Sequence, residues 1–318
     1  MKSPTVSMVG GDSLLGKEVR EVLRQRGHAW PVQFLRADEE EASKLTEIDG
    51  EAVVVSAMNK TNLALADLIV LADTPASSRK AWELTAKNCD AHIVDLTGEL
   101  SDVSRAKRLK VIGHPAAATL GIFHDALAKT HKVARWSAHI FEPASQRGLR
   151  GIDELHQQTI KLFAFQTLPR EVYDAQLAYA MLPAWGPDAN AKLIDAELQV
   201  ERSLADILAV HKDVPMPSLR LVQAPAFHGY SISVWAELAG ETDVEGLTGA
   251  LREAGLDVRD AGEPPSNPGI AGQSGIAVGD IRPDRNHPRA FWFWLVSDNL
   301  RLTAESAVDW MEQTCAKN

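Results

Sequence analysis

Cysteine is nearly absent. The 318 residues hold two, Cys89 and Cys315. They lie far apart and show no metal-ligand spacing, which argues against a disulfide framework and makes a reducing compartment the expectation. No metal site is read from the sequence. Cys89 reads as a small residue at a helix end, with nothing basic beside it to activate a thiolate. Long apolar runs are missing too. The most apolar stretch, residues 63–72, contains Asp67 and is too short to span a bilayer. No apolar leader core stands before the strand-like Thr5-Val6-Ser7-Met8-Val9, so a cytoplasmic protein with no membrane partner is expected. Positive charge is in deficit, with a formal net charge of −10. That argues against nucleic acid as a partner, while leaving room for a local basic pocket.

What is present is the length for two domains and a globular composition, 45% hydrophobic and 24% charged. The first third alternates strand candidates (6–9, 32–35, 52–56, 68–72, 92–96) with helical patterns. After the turn Gly10-Gly11-Asp12-Ser13-Leu14-Leu15-Gly16, a helix shows Leu15, Val19, Val22 and Leu23 on one face and stops at Gly27. Residues 77–86 form another. This rhythm predicts an α/β, Rossmann-type parallel sheet covered on both faces.

From residue 125 the pattern groups instead of alternating. A strand at 135–141 leads into a glycine-containing loop at 144–151. The next helix carries Ile152, Leu155, Thr159, Leu162 and Phe163. A loop at 183–188 precedes a helix at 191–208, then two strands within 219–238 joined near 227–230. A helix at 243–255, a loop at 262–274, a strand at 290–296 and a closing helix at 303–313 complete an α+β domain. Phe291-Trp292-Phe293-Trp294 alternates on a strand apolar on both faces, buried in the core or partly in a subunit contact.

Four segments in order carry a resemblance. They are Val9 to Gly16; Ser145-Gln146-Arg147-Gly148-Leu149-Arg150-Gly151-Ile152-Asp153-Glu154-Leu155; Pro225-Ala226-Phe227-His228-Gly229-Tyr230-Ser231; and Val278-Gly279-Asp280-Ile281-Arg282-Pro283-Asp284 with Ser297-Asp298-Asn299-Leu300-Arg301. Together they resemble the aspartate-semialdehyde dehydrogenase family, and its USG-1-like branch in particular. The resemblance implies a Rossmann-type domain at residues 1–124 completed by 300–318. It also implies a dimerisation and substrate domain at 125–299, a homodimer, and NADP as cofactor.

It implies a chemistry as well, and here the chain departs from the family. In the family a thiolate attacks an aldehyde, hydride leaves to NADP, and phosphate takes the acyl group. The nucleophile position falls in His114-Pro115-Ala116-Ala117-Ala118-Thr119, at Ala117. The base position aligns with Tyr230, and the substrate-binding arginine with Gln223. A family lysine aligns with Gln199, and Glu197 keeps an acidic position nearby. His228, two residues before Tyr230, would share its side of a strand at an offset of about 6–7 Å.

The cofactor turn keeps Gly10, Leu14 and Gly16, but Ser13 replaces its middle glycine. Asp12 there reads as a helix N-cap, and Asp73 adds another carboxylate where the family has glycine. Arg36 could meet a 2′-phosphate, but reads better as a solvated arginine before the acidic run 38–41. Asn299 matches a position at the nicotinamide end. Arg147 and Arg150 could form an anion site at a helix start, but read better as surface partners of Asp153 or Glu154. The expectation is a catalytically degenerate paralogue acting as a dimeric binding or interaction protein. Its alternative is an NADP-dependent oxidoreductase with altered chemistry through Tyr230 or His228.

Overall fold

The apolar strands of the first third stack into one parallel sheet in the computed structural model, which describes residues 3–37, 45–48, 51–85, 89–211 and 214–317. The acidic run 38–41 lies outside them. The chain divides into two compact units, Met1–Gly113 with Thr303–Asn318, and His114–Leu302. The expected boundary at 124/125 falls inside a helix of the second unit. It would cut the helix Pro115–Ala128, whose Ala116, Leu120, Phe123 and Leu127 are buried in the second unit's core.

In the first unit β1 (Val6–Val9), α1 (Leu14–Gln25), β2 (Val32–Arg36), β3 (Leu45–Ile48), β4 (Glu51–Val54), β5 (Ser56–Ala57), α2 (Lys60–Leu63), β6 (Leu68–Leu71), α3 (Pro75–Thr85), β7 (His92–Asp95) and β8 (Leu109–Val111) follow in order. Six strands pair in parallel in the order β5-β2-β1-β6-β7-β8. Val6, Met8, Leu68 and Val70 face Val19, Val22 and Leu23 of α1, together with Ala304, Val308 and Met311 of the C-terminal helix Asn299–Lys317. Val9, Ile69, Leu71 and Ile93 face the other way, against Leu63 and Ala81. Alternation within uniformly apolar strands is what a sheet covered on both faces needs.

The strand expected at 52–56 is divided between two sheets. Glu51–Val54 pairs antiparallel with Leu45–Ile48, and only Ser56–Ala57 joins the parallel sheet. The run Val53-Val54-Val55 favours extended backbone whatever its partner, so sequence pattern could not choose between them. The three-residue β8 is too short to show a period.

The second unit contains α4 (Pro115–Ala128), β9 (Val133–Glu142), α5 (Gly148–Phe163), α6 (Leu193–Leu208), β10 (Ser218–Gln223), β11 (Tyr230–Leu238), α7 (Val244–Glu253), β12 (Asp257–Val258), α8 (Asn267–Ile270), β13 (Ile276–Pro283) and β14 (Ala290–Ser297). Its mixed sheet runs β10-β9-β11-β14-β13-β12. The strands expected to be joined near 227–230 are not neighbours, because β9 lies between them, parallel to β10 and antiparallel to β11.

Trp136, Ala138 and Ile140 of β9 join Ile232, Val234, Phe291, Phe293 and Leu295 in a core closed by Leu120 and Leu127 of α4, Val200 and Leu204 of α6, and Leu247 and Leu251 of α7. Phe141, Ser233, Trp235, Trp292 and Trp294 fall between these inward residues and are half-buried. The expected loop at 144–151 is instead a 3₁₀ turn, Ala144–Arg147, running straight into α5. Residues 164–192 contain no helix, and their one recorded bridge joins Leu182 to Gln223. So long a connection is uncommon unless it does something.

Candidate functional site

β9 has its even-numbered residues inward, so the row Trp136, Ala138, Ile140 ends on a carboxylate, Glu142, fully buried at the strand's C-terminal end. Parallel register sets Gln223 beside it. The antiparallel neighbour β11 begins there, with Tyr230. Tyr230 Oη donates to Glu142 Oε2 at 3.2 Å, and Gln223 Nε2 donates to the Glu142 carbonyl at 2.9 Å. Arg147, at the end of the 3₁₀ turn, donates from Nε and Nη2 to Glu142 Oε1 at 3.0 and 2.8 Å. Its guanidinium lies 4.8 Å over the Trp185 ring. Burial works against the Arg147 charge, but Glu142 and the two tyrosines more than offset it, and its pKa is raised.

His114 caps α4 from the other side of this cluster. Its Nδ1 accepts from the Ala116 N–H at 3.3 Å, and its ring meets Tyr230 edge-on at 5.8 Å. Burial pushes its pKa down to about 3, with the Arg147 charge adding to the effect. Burial, then Glu142, raises Tyr230 well above 10, and burial raises Tyr173 too. Four buried atoms around Arg147 have no hydrogen-bond partner: His114 Nε2, Tyr173 Oη, Trp185 Nε1 and Gln223 Oε1. Such groups ordinarily hold a water or a ligand atom. The chemistry on offer is polar recognition around one held cation. Neither raised tyrosine is a proton acceptor near neutral pH.

His114 gives a pH prediction. Its folded pKa of about 3 lies below the ordinary 6.5. The unfolded chain therefore binds a proton that the folded chain refuses, and stability falls as pH drops from 6.5 towards 3. His114→Asn keeps a cap and removes the titration. Unfolding free energies at pH 6.5 and 5 should show the native protein losing about 2 kcal/mol more than the variant. Equal losses would mean His114 is not held neutral.

The other sequence candidates scatter. Ala117 lies in the first turn of α4 with no exposed surface. Arg150 is exposed while the Arg147 guanidinium is taken by the buried Glu142, so the two do not form the joint anion site. Nor does Arg147 pair with Asp153 or Glu154, because Glu142 takes its guanidinium and Glu154 accepts from the Val172 and Tyr173 backbone. His228 is not on Tyr230's strand. Gly229 between them has φ +79°, a conformation that breaks the two-residue alternation. Asn299 is buried, and its amide accepts from Ser145 Oγ and the Gly229 N–H while donating to Gln146. Glu197 Oε2 accepts from the Leu221 N–H, and with Trp185, Lys192 and Arg220 it lines a shallow cavity of about 310 Å³. Gln199 is half-buried and outside that lining. Cys89 and Cys315 pack against the first unit's two cores, one on each side of its sheet.

Sequence reasoning missed Glu142, Tyr173 and Trp185, and gave His114 no role. Glu142 had a signal, since one more step of the β9 alternation points it inward. The other two sit on the irregular connection, where no period exists. It also missed a cluster of His124, Asp125 and His211, whose ligand atoms lie within 4.8 Å of one another.

In the first unit the turn after β1 keeps tight geometry. A Cβ on Gly16 would stand 2.1 Å from the Gly10 carbonyl oxygen, so only glycine fits. The expected N-cap, Asp12, is not the cap. Ser13 is: its hydroxyl accepts from the Gly16 N–H at 3.0 Å and donates to the Ala72 carbonyl at 2.6 Å. Being one residue nearer, it reaches the first-turn N–H while Asp12 turns to an ion pair with Arg36. Arg36, expected to be solvated, is paired with Asp12 of the turn. Ser13→Ala should lower stability by about 1 kcal/mol in denaturant titration. Leu14 opens the helix, and Asp73 stands exposed beside Gly10.

Comparison with known proteins gives a consistent result. The profile of the semialdehyde dehydrogenase dimerisation domain matches residues 126–302. The aspartate-semialdehyde dehydrogenase of Rickettsia bellii is 21% identical, over 95% of each chain. A USG-1 protein homolog of Azotobacter vinelandii is 25% identical over 93% of each. The crystal structure of aspartate semialdehyde dehydrogenase II from Vibrio cholerae, complexed with ASA, superposes with a TM-score of 0.86 at 19% identity, covering 98% of both chains.

Proposed function

This chain belongs to the semialdehyde dehydrogenase family, and from that premise we propose that it keeps the family's shape as a homodimeric binding or interaction protein without the family's covalent chemistry. The observation that carries the reading is the contact Tyr230–Glu142–Arg147. The side chain aligned with the family base spends its proton on a buried carboxylate that an arginine already holds. Ala117, aligned with the nucleophile, offers only a methyl group, and Gln223 commits its one amide nitrogen to two backbone carbonyls. The unpartnered atoms around Arg147 suit a small polar ligand, with Arg147 as its charge anchor.

The test is an assay with NADP, aspartate semialdehyde and phosphate, beside calorimetry with NADP alone. NADPH formation should stay at background. Turnover within about a hundredfold of a working relative would overturn the reading. The Rossmann-type sheet and the intact Gly10–Gly16 packing favour a second reading, an NADP-dependent oxidoreductase working without an acyl-enzyme through Tyr230 or His228. Micromolar NADP binding with phosphate-independent hydride transfer would select it.

The dimer reading rests on the outward face of the second unit's sheet. Phe141, Trp235, Trp292 and Trp294 are half-buried there, opposite the helix-covered side. A second copy laid on this face would cover aromatic surface of the kind enriched in interface cores. Ser233→Arg, in register between His139 and Trp294, should convert dimer to monomer by light scattering while circular dichroism stays unchanged. Retained dimer mass would place the interface elsewhere.

A further inference from the structure

We infer that His124, Asp125 and His211 form a binding site for a divalent transition-metal ion of the zinc type. It lies in the second unit, where the last turns of α4 meet the segment that follows α6, and it shares no residue with the Glu142 cluster. Two imidazoles and one carboxylate are a donor set that zinc accepts, with a remaining position open to water.

The geometry is near that of a coordination shell. Ligand atoms about 2.0–2.2 Å from zinc in a tetrahedron stand about 3.3–3.5 Å from one another. Asp125 Oδ1 lies 2.9 Å from His211 Nε2 and 3.4 Å from His124 Nδ1. All three ligand atoms fall within 4.8 Å. Closing the two imidazoles to ligand spacing takes at most about 1.5 Å. His211 can supply that movement, because its side chain is one-third exposed and it follows the helix end. His124 is the fixed member, with its side chain 3% exposed and its ring packed 5.6 Å from Trp136.

A second observation sets this trio apart from a surface ion pair. His211 Nε2 is buried and makes no hydrogen bond, although the Asp125 oxygen is only 2.9 Å away. The distance is right and the alignment is wrong. Two atoms converging on a third look like that, whereas a donor and its acceptor do not. The two imidazole rings also stand only 5.7 Å apart.

The ion's effect would be to tie α4, which begins at Ala117's turn, to the end of α6. The experiment uses full-length, tag-free protein stripped with a chelator and titrated with Zn²⁺ against a chromophoric competitor, then with Co²⁺ by visible absorption. One ion per chain is expected, with a Tm rise on the order of 5 °C at hundredfold excess over Kd. His211→Ala and Asp125→Asn, both at partly exposed positions, should each weaken binding at least tenfold while leaving the metal-free melt unchanged. Should either variant fold poorly, the native protein's stoichiometry and Co²⁺ spectrum decide alone. Substoichiometric binding, or affinity untouched in folded variants, would overturn the site and leave a hydrogen-bonded surface trio only.

Discussion

Ala117→Cys is expected to leave phosphate-dependent NADPH formation at background, although it restores the atom that the resemblance assigns to the nucleophile. The first turn of α4 would help a thiolate, since a helix N-terminus lowers thiol pKa. Every other requirement is missing nearby. Tyr230 holds its proton well above pH 10 and donates it to Glu142. His114, the cap of the same helix, is pushed down to about 3 and barely accepts a proton at pH 7. Gln223 has no fixed charge for a substrate carboxylate. Groups that act as a unit are not restored one at a time, and a nucleophile without its partners works several powers of ten below an intact site. The check is a paired measurement, thiol labelling at position 117 to show that the sulfur is present, and NADPH formation. A labelled variant with turnover within about a hundredfold of a working relative would mean that the site never lost its base. The failure would then lie in a single side chain.

How much of this could be read beforehand depended on whether a residue obeyed a period. The doubly covered sheet was legible because its strands were apolar throughout and spaced by helical patterns, as at Val6–Val9 and Leu68–Leu71. Short motifs supplied the family-aligned positions Ala117, Gln223 and Tyr230, which lie in one unit, the latter two bound to Glu142. What stayed hidden was the choice of partner. Arg147 had acidic neighbours in sequence at Asp153 and Glu154, and proximity along the chain favoured them. The fold instead closed a 3₁₀ turn that carries Arg147 back onto β9. Asp12 looked like the better cap, yet Ser13 held the position from which a hydroxyl reaches the Gly16 N–H. His228 failed for a different reason: one left-handed glycine cancels an argument from alternation. His124 lies on α4 and His211 beyond the end of α6, and only the packing of α4 on α6 brings them together.

Glu142→Gln should be among the most destabilising single changes in the second unit, by about 3 kcal/mol. The amide keeps the side chain's volume and still accepts a hydrogen bond from Tyr230 or Arg147. It cannot offset the guanidinium charge that Glu142 now pairs. Arg147 retains 24% side-chain exposure, so water relieves part of the cost and the lower end of the range for a broken buried pair applies. The melting temperature should fall by about 6 °C or more. The paired variant Glu142→Leu with Arg147→Met separates charge from packing. Replacing both partners of a buried pair with apolar groups is often close to neutral, so the double variant should recover most of the loss. A Glu142→Gln cost below about 1 kcal/mol, or a double variant as unstable as the sum of the singles, would mean the carboxylate and guanidinium are not coupled in solution. Tyr230 would then be free of the lock that the proposed loss of catalysis depends on. Coupling of about 2 kcal/mol or more would instead mark the pair as the element that stabilises this corner of the sheet in place of a catalytic site.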